Sequence, residues 1–528
     1  MKRLLLTGAA ALALAVPAMA DNSTSTVTQS NTGNNASVDQ TGSIAGGEST
    51  ITQSGAGNTA NVTQSDDGSD FLGTAPPINE STIDQSGDGN TADVTQDTAT
   101  AAVLSRSIVA QSGNSNSATI SQIDDSQFSA VEQLSSNNTA TVSQGNPGLV
   151  ASDGSFGNFS TVLQSGAGDH IATVEQTGAA NESSIIQNGS TNEAFVQQRD
   201  FGNASSVIQN GNNNFANVNE QGRGTVLASG QDFNQSDIIQ DGDNNTAFVD
   251  QDGSNNSSFI SQGGDDNTAR ISDQNGDNNS SSIIQSGDRN RAEIDNQDGD
   301  FNTSLITQSG DDNMADVNQD GDSNTSEIIQ DGSFVTANVD QGGNGNDSFI
   351  DQSSPGGVRP VDSDVTVSQG GDMNTSRVIQ RGNDAVATVM QGGSENQSVV
   401  NQFGNRSLVS VDQIGDMNRS FVTNRAEDSS AFVTQAGDDN ESRIIQREDS
   451  PPTENFFASV SQSGNGNMSL IEQDGNDHSA TLIQSGNGNM SEIFQTGSFN
   501  TAVVTQMTDG NMSTVTQSGS GNMATVTQ

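Results

Sequence analysis

Residues Gln484–Gln528 read Q-SGNGNMSEIF-Q-TGSFNTAVVT-Q-MTDGNMSTVT-Q-SGSGNMATVT-Q, a run of glutamines at a constant eleven-residue step. The same step reaches back through Gln473 and Gln462. Within each step a Gly-containing turn is followed by Asn, a small residue and a branched aliphatic at alternate positions. Asn489, Ser491 and Ile493 precede Gln495; Asn500, Ala502 and Val504 precede Gln506. A fixed short period marks a repeat architecture. Alternation at period two predicts β-strands with one consistent face.

The small residue has two identities, which doubles the period. Ser236, Ser258, Ser281, Ser304 and Ser326 mark one segment type, interleaved with Ala247, Ala269, Ala292, Ala315 and Ala337 of the other. In two segments Asp273 and Asn296 take the glutamine slot, and Gln274 and Gln297 follow directly. The unit is therefore about twenty-two residues, and about twenty-one such pairs fit between Ser25 and Gln528. One strand-turn-strand is unstable alone in water, so coils must stack, Ser-type on Ser-type and Ala-type on Ala-type. The predicted fold class is all-β, a β-solenoid with two parallel sheets, and that many coils make a rod roughly 100 Å long. Its core ladder is represented by Asn313, Ala315, Val317 and Gln319, by Ser326, Ile328 and Gln330, and by Asn489, Ser491, Ile493 and Gln495. Buried amides are costly unless bonded, but identical amides stacked about 4.8 Å apart form continuous hydrogen-bonded ladders.

Turns and breaks fit this scheme. Gly310, Gly332 and Gly486 each stand two residues after a glutamine, where positive φ would ease a tight turn. Proline cannot donate to a sheet ladder, and Pro76, Pro77, Pro147, Pro355, Pro360, Pro451 and Pro452 all fall where an insertion breaks the step. The main insertions run about Ser65–Ile78, Gly145–Gly157, Gly222–Phe233, Ser353–Asp362 and Arg447–Asn455. Segment alternation resumes in phase after each, so residues 21–528 are expected to form one solenoid domain with corner loops.

Residues 1–20 stand apart. Lys2 and Arg3 precede an apolar run from Leu4 to Val16, and Ala18-Met19-Ala20 offers a small-x-small cleavage site. This is the pattern of a secretory signal peptide. No later stretch has the roughly twenty apolar residues of a membrane-spanning helix. The chain carries 66 acidic against 16 basic residues, a net charge of −50. Such a surface repels nucleic acid and anionic lipid, and it suits solubility in salt or diffuse divalent-cation binding. There is no Cys, Trp or Tyr. That composition alone would fit disorder, but a solvated linker has no reason to space Val and Ile regularly.

Outward positions carry a second pattern. In Ser-type strands Ile239, Ile284, Ile329, Ile379 and Ile445 sit just before the glutamine, whereas Phe259, Leu305 and Phe349 in the intervening strands sit two residues earlier. Corresponding Ala-type positions are mostly polar or acidic, as at Asp316, Asn318, Asn338 and Asp340. One apolar and one acidic face are expected, the apolar one as a stripe for lateral association.

These residues resemble the curlin repeat of curli, the bacterial extracellular amyloid fibre, with motif Ser-x5-Gln-x-Gly-x2-Asn-x-Ala-x3-Gln. Gln308, Gly310, Asn313, Ala315 and Gln319 match its second half, as do Gln53, Gly55, Asn58, Ala60 and Gln64. Asn302 and Asn324 stand where the family has its opening serine, and the serines lie two residues on at Ser304 and Ser326. The chain has several times the repeats of an ordinary curli subunit. It enters the pattern almost at once, at Ser25, Val27 and Gln29. The resemblance implies a secreted subunit of a Gram-negative-type bacterium that polymerises with itself into a cross-β fibre in biofilm matrix. It also implies export from the periplasm through a dedicated outer-membrane channel with chaperones.

An enzyme is not expected. His170 and His478 occupy slots normally held by Asn, which reads as ladder substitution rather than general acid/base work. The Asp311-Asp312 and Asp438-Asp439 turns offer oxygen ligands suited to calcium but lack the nonapeptide spacing of calcium β-rolls. No cofactor is expected. Like charges stacked about 4.8 Å apart repel, so salt or calcium should speed assembly. The last strand, with Asn522, Ala524, Val526 and Gln528, is expected to serve as an elongation edge. Alternatives are a fibre nucleator or a monomeric secreted rod with an adhesive or ice-binding face; the outer threonines are irregular for ice.

Overall fold

A computed structural model describes residues 23–43, 46–66, 79–98, 105–124, 126–145, 157–221, 233–354, 359–447 and 455–528. The expected signal peptide, six of the seven loop prolines, most of four of the insertions and residues 355–358 of the Ser353–Asp362 insertion lie outside the described residues. The described residues form 42 strands and no helix. They fall into two compact units, one ending at Asp266 and the other starting at Asn267. Each unit is a β-solenoid.

Within each unit every strand pairs in parallel with the strand one coil away, like type on like type. Thr325–Gln330 pairs Ser326 with Ser304 and Ser348, Ile328 with Ile306 and Ile350, and Gln330 with Gln308 and Gln352. Met314–Gln319 does the same for the Ala type, setting Ala315 between Ala292 and Ala337 and Val317 between Ile294 and Val339. The period-two pattern selects which side chains turn inward. In Thr325–Gln330, Ser326, Ile328 and Gln330 are buried while Thr325 is exposed and Glu327 and Ile329 are half-covered. Two branched aliphatics per coil make a thin apolar core, so the amides beside them must be bonded rather than merely buried.

The insertions leave the stacking undisturbed. Thr59–Asp66 pairs in register with Thr91–Thr98 across the first, and Glu441–Arg447 with Met468–Asn476 across the last. Among the described residues no strand contains proline, and Pro360 lies outside the strands with its carbonyl accepting from Ser333 N at 3.0 Å.

Turn chemistry differs from the expectation. Gly310, Gly332 and Gly486 do not have positive φ. They are required because coils approach closely there: a Cβ on Gly310 would sit 1.7 Å from the Gly332 carbonyl oxygen. The left-handed residue comes two positions later. Asp312 (φ 58°), Phe334 (φ 56°), Arg406 (φ 50°) and Gly466 (φ 66°) all hold it. Bulky side chains are tolerated in that slot because it faces open solvent, as the empty surroundings of Gly466 show.

Candidate functional site: the amide ladders and outer faces

Glutamine closes each coil in two directions at once. Gln330 Nε2 donates along the stack to Gln352 Oε1 at 3.0 Å and across the coil to Met314 O at 2.9 Å. Its own Oε1 accepts from Gln308 Nε2 at 2.8 Å. The opposite corner repeats this with Gln319, which donates to Gln341 Oε1 at 2.8 Å and to Thr303 O at 3.3 Å. Gln495 continues the scheme to Gln517 Oε1 at 2.9 Å and Ser479 O at 3.0 Å. Every such bond runs from Nε2 of one coil to Oε1 of the next, so the stack is polar.

Asparagine does the corresponding work at the start of each strand. Asn313 Oδ1 accepts the backbone N–H of Val335 at 3.2 Å, and its Nδ2 donates to Gly332 O at 3.0 Å. Asn489 Oδ1 accepts from Asn511 N at 2.8 Å, and Asn489 N donates to Asn467 Oδ1 at 2.9 Å. Ala315, Val317, Ser326, Ile328, Ser491 and Ile493 are all buried between these amide rows. The structure thus brings the predicted core ladder residues together.

Departures from the repeat are accommodated by recognisable means. Asp273 and Asn296 adopt positive φ (53° and 48°) and are bulged out, which returns Gln274 and Gln297 to the ladder, bonded at 2.6 Å. His170 and His478 mimic Asn. His170 Nδ1 accepts from Asn192 N at 3.3 Å, which makes Nε2 the protonated nitrogen, facing Ser165 O at 2.7 Å. His478 repeats this with Asn500 N at 3.3 Å and Asp474 O at 3.1 Å. Burial lowers both imidazole pKa values, against the opposing pull of those carbonyls.

Two further substitutions escaped the sequence reading. Glu220 occupies a glutamine slot, aligned with Gln198 and Gln251, and its Oε2 accepts Gln198 Nε2 at 2.8 Å. Burial pushes its carboxyl up to about 8, outweighing hydrogen bonds from Gln198 and Ser236. Asn424 fills another slot but is one methylene short. Among the described residues its Nδ2 and the Oε1 of Gln446 above it are buried without partners.

The turn carboxylates have a structural use. Asp311 Oδ1 accepts Asp288 N at 3.0 Å, and Asp438 Oδ1 accepts Asp416 N at 3.0 Å, forming a third ladder along the corners. Asp312 is held by Arg289 of the adjacent coil at 2.8 Å, which lowers its pKa. Among the described residues no group of three or more His, Asp or Glu side chains converges as metal ligands.

On the outer Ser-type face Ile284 is 36% exposed. Ile239, Phe259, Leu305, Ile329 and Phe349 are half-buried, and Ile379 and Ile445 are covered. Pairing makes the pattern a zigzag: Leu305 lies beside Glu327, and Ile329 beside Asp351. Ile379 stands between Arg377 and Arg381, the latter one residue past the strand end, and Ile445 between Arg443 and Arg447, alternate positions that share one face. At the other predicted site Asn522 and Gln528 are exposed and Ala524 and Val526 half-exposed, with Gln528 Oε1 accepting Gln506 Nε2 at 2.8 Å.

Set beside known proteins, the chain matches the curlin associated repeat in seven stretches, residues 171–199, 234–264, 264–295, 296–321, 455–486, 486–519 and 500–528. These stretches carry the repeat of the curlin family. The matched residues fall in both units and include Gln308, Asn313, Gln319, Asn489 and Gln495 of the ladders described above, whereas Gln330, Gln341 and Gln352 lie between matched stretches. No curated protein matches the chain. The curlin-repeat solenoid is a structural fold and corresponds to no known enzyme family. Among the described residues no helix is long and apolar enough to cross a membrane.

Proposed function

We propose that this chain is a structural subunit of a curli-type extracellular amyloid fibre, growing by stacking coil on coil between copies. The polarity of the glutamine ladder carries this reading. Each coil presents amide donors to one side and acceptors to the other, so one copy can offer to the next the surface that its own coils offer each other. The edge formed by Asn522, Ala524, Val526 and Gln528 would receive an incoming coil. On this reading the chain would be exported through an outer-membrane channel, with chaperones that keep it from stacking early; its likeness to curlin repeats supports this. The same likeness supports a location in the matrix outside the cell, where the fibre would serve biofilm cohesion and adhesion. Diffuse divalent cations would ease the acidic stack together by screening like charges.

Incubating the secreted protein and imaging it by electron microscopy tests this. Unbranched filaments many times longer than one chain are expected. A population that stays as single particles at high concentration and in calcium would overturn the reading in favour of a monomeric adhesive rod.

A further inference from the structure

The second unit carries a cationic strip on a chain that is otherwise strongly acidic. Along its Ser-type face Phe349, Arg377, Val399, Phe421, Arg443 and Leu470 occupy one outward row in successive coils. The Arg377 guanidinium lies 5.2 Å over the Phe349 ring. One position beyond the strands, Phe403 is flanked by Arg381 at 5.5 Å and Arg425 at 5.7 Å. Arg377, Arg425 and Arg443 are exposed and make no ion pair among the described residues. A depression of about 380 Å³ opens between Val399, Phe421, Thr423, Glu441 and Arg443. Arg381 also reaches Asp351 at 4.0 Å, but Arg377 and Arg425 combine ring stacking with an unpaired guanidinium, a common ingredient of contact surfaces.

The Ala-type face of the same unit holds the complement. Asp316 is aligned with Glu293 below it, and Asp340 is two coils from Asp295 in the neighbouring row. Glu293 is matched by Arg270 and Arg291. Asp316 and Asp340 make no ion pair among the described residues, and Arg291, already engaged with Glu293, is the cation that acts on Asp316 from a distance. Burial, then the neighbouring Glu293 and Asp295, raise the Asp316 pKa, against a lowering pull from Arg291.

We infer that the arginine-aromatic strip around Arg377 and Arg443 docks on the acidic Ala-type face around Asp316 and Asp340 of a second copy, joining molecules side by side. The inference builds on the fibre reading but concerns the flanks, not the coil ends. Because the two patches lie on different faces, the contact is heterologous and does not close. It repeats from molecule to molecule and would bundle filaments into sheets. A chain with a net charge of −50 gains from such a contact mainly in specificity and approach, and loses it as salt rises.

Charge reversal in trans tests the pairing on the full secreted chain. Arg377→Glu with Arg443→Glu, and separately Asp316→Lys with Asp340→Lys, should each weaken lateral association by about tenfold or more, read by sedimentation velocity at low salt. Mixing the two variants should restore it, and far-ultraviolet circular dichroism should show both folded. Single variants that associate like the parent, or a mixture that stays apart, would overturn the inference. So would a parent chain that ignores its own copies and binds alginate, an acidic polysaccharide, through these arginines. Micrographs of the same samples separate the two proposals. Side-by-side pairs without filaments would sink end-on growth alone, and single unbundled filaments would sink the lateral contact alone.

Discussion

Gln198 donates its amide to Glu220 at 2.8 Å, at a position where neighbouring coils stack glutamine on glutamine. A protonated glutamic acid has the length of glutamine and a proton to donate, so it fits the ladder; the carboxylate does not. Its folded pKa of about 8 lies above the ordinary 4.5. The stabilising share is therefore complete below about pH 4 and lost as pH rises toward 8, then level. At about 1.4 kcal/mol per unit the full loss is about 5 kcal/mol. Hydrogen exchange in the coils from Glu193 to Gln251 should slow on acidification toward pH 5, and Glu220→Gln should be slow throughout.

The histidines respond in the opposite sense. Their folded pKa values lie below the usual 6.5, so the stability they allow is present above that value and lost as pH falls through the folded one. Protonated Nδ1 of His170 could no longer accept from Asn192 N. Exchange around Asn192 should quicken in acid, and His170→Asn should remove that response while changing neutral stability by less than ~1 kcal/mol. Equal acid sensitivity in parent and variant would contradict the assigned roles.

Much of this architecture was readable before any coordinates. Strand type, coil length, stacking partners and the burial of Val317, Ile328 and Ile493 all follow from a period that repeats with few slips. The turn was misread because glycine has two uses: Gly310 relieves a clash between coils, a relation between residues twenty-two positions apart, rather than a local torsion. Glu220 was hidden because Gln221 follows it, the same arrangement that in Asp273-Gln274 is resolved by a bulge. Asp is one methylene too short to bridge the ladder; Glu is long enough. The arginine strip was invisible because Arg381, Phe403 and Arg425 meet only once the coils are stacked.

Two glycines separate these turn roles. Gly310→Ala forces a Cβ into the Gly332 carbonyl and should cost about 3 kcal/mol or more. Gly466→Ala, in open space at φ 66°, should cost about 1–2 kcal/mol, and Gly466→Asn less. Denaturant melts of the three variants check the order; an equal cost for Gly310→Ala and Gly466→Ala would refute the close-approach account.

The gap at Asn424 should be repairable. Asn424→Gln supplies the missing reach toward Gln446 Oε1, now buried without a partner, and should stabilise the surrounding coils by about 1 kcal/mol. Slower exchange at Ser420–Gln446 would show it, while faster exchange would mean that the slot is too tight for the longer side chain.

X-ray diffraction from aligned fibres of the assembled protein tests the central claim most directly. Coils stacked across molecular boundaries with the spacing they have within the chain predict a meridional reflection at about 4.7–4.8 Å and a broad equatorial one near 10 Å. An assembled specimen lacking that meridional reflection would contradict stacking of coils along the fibre.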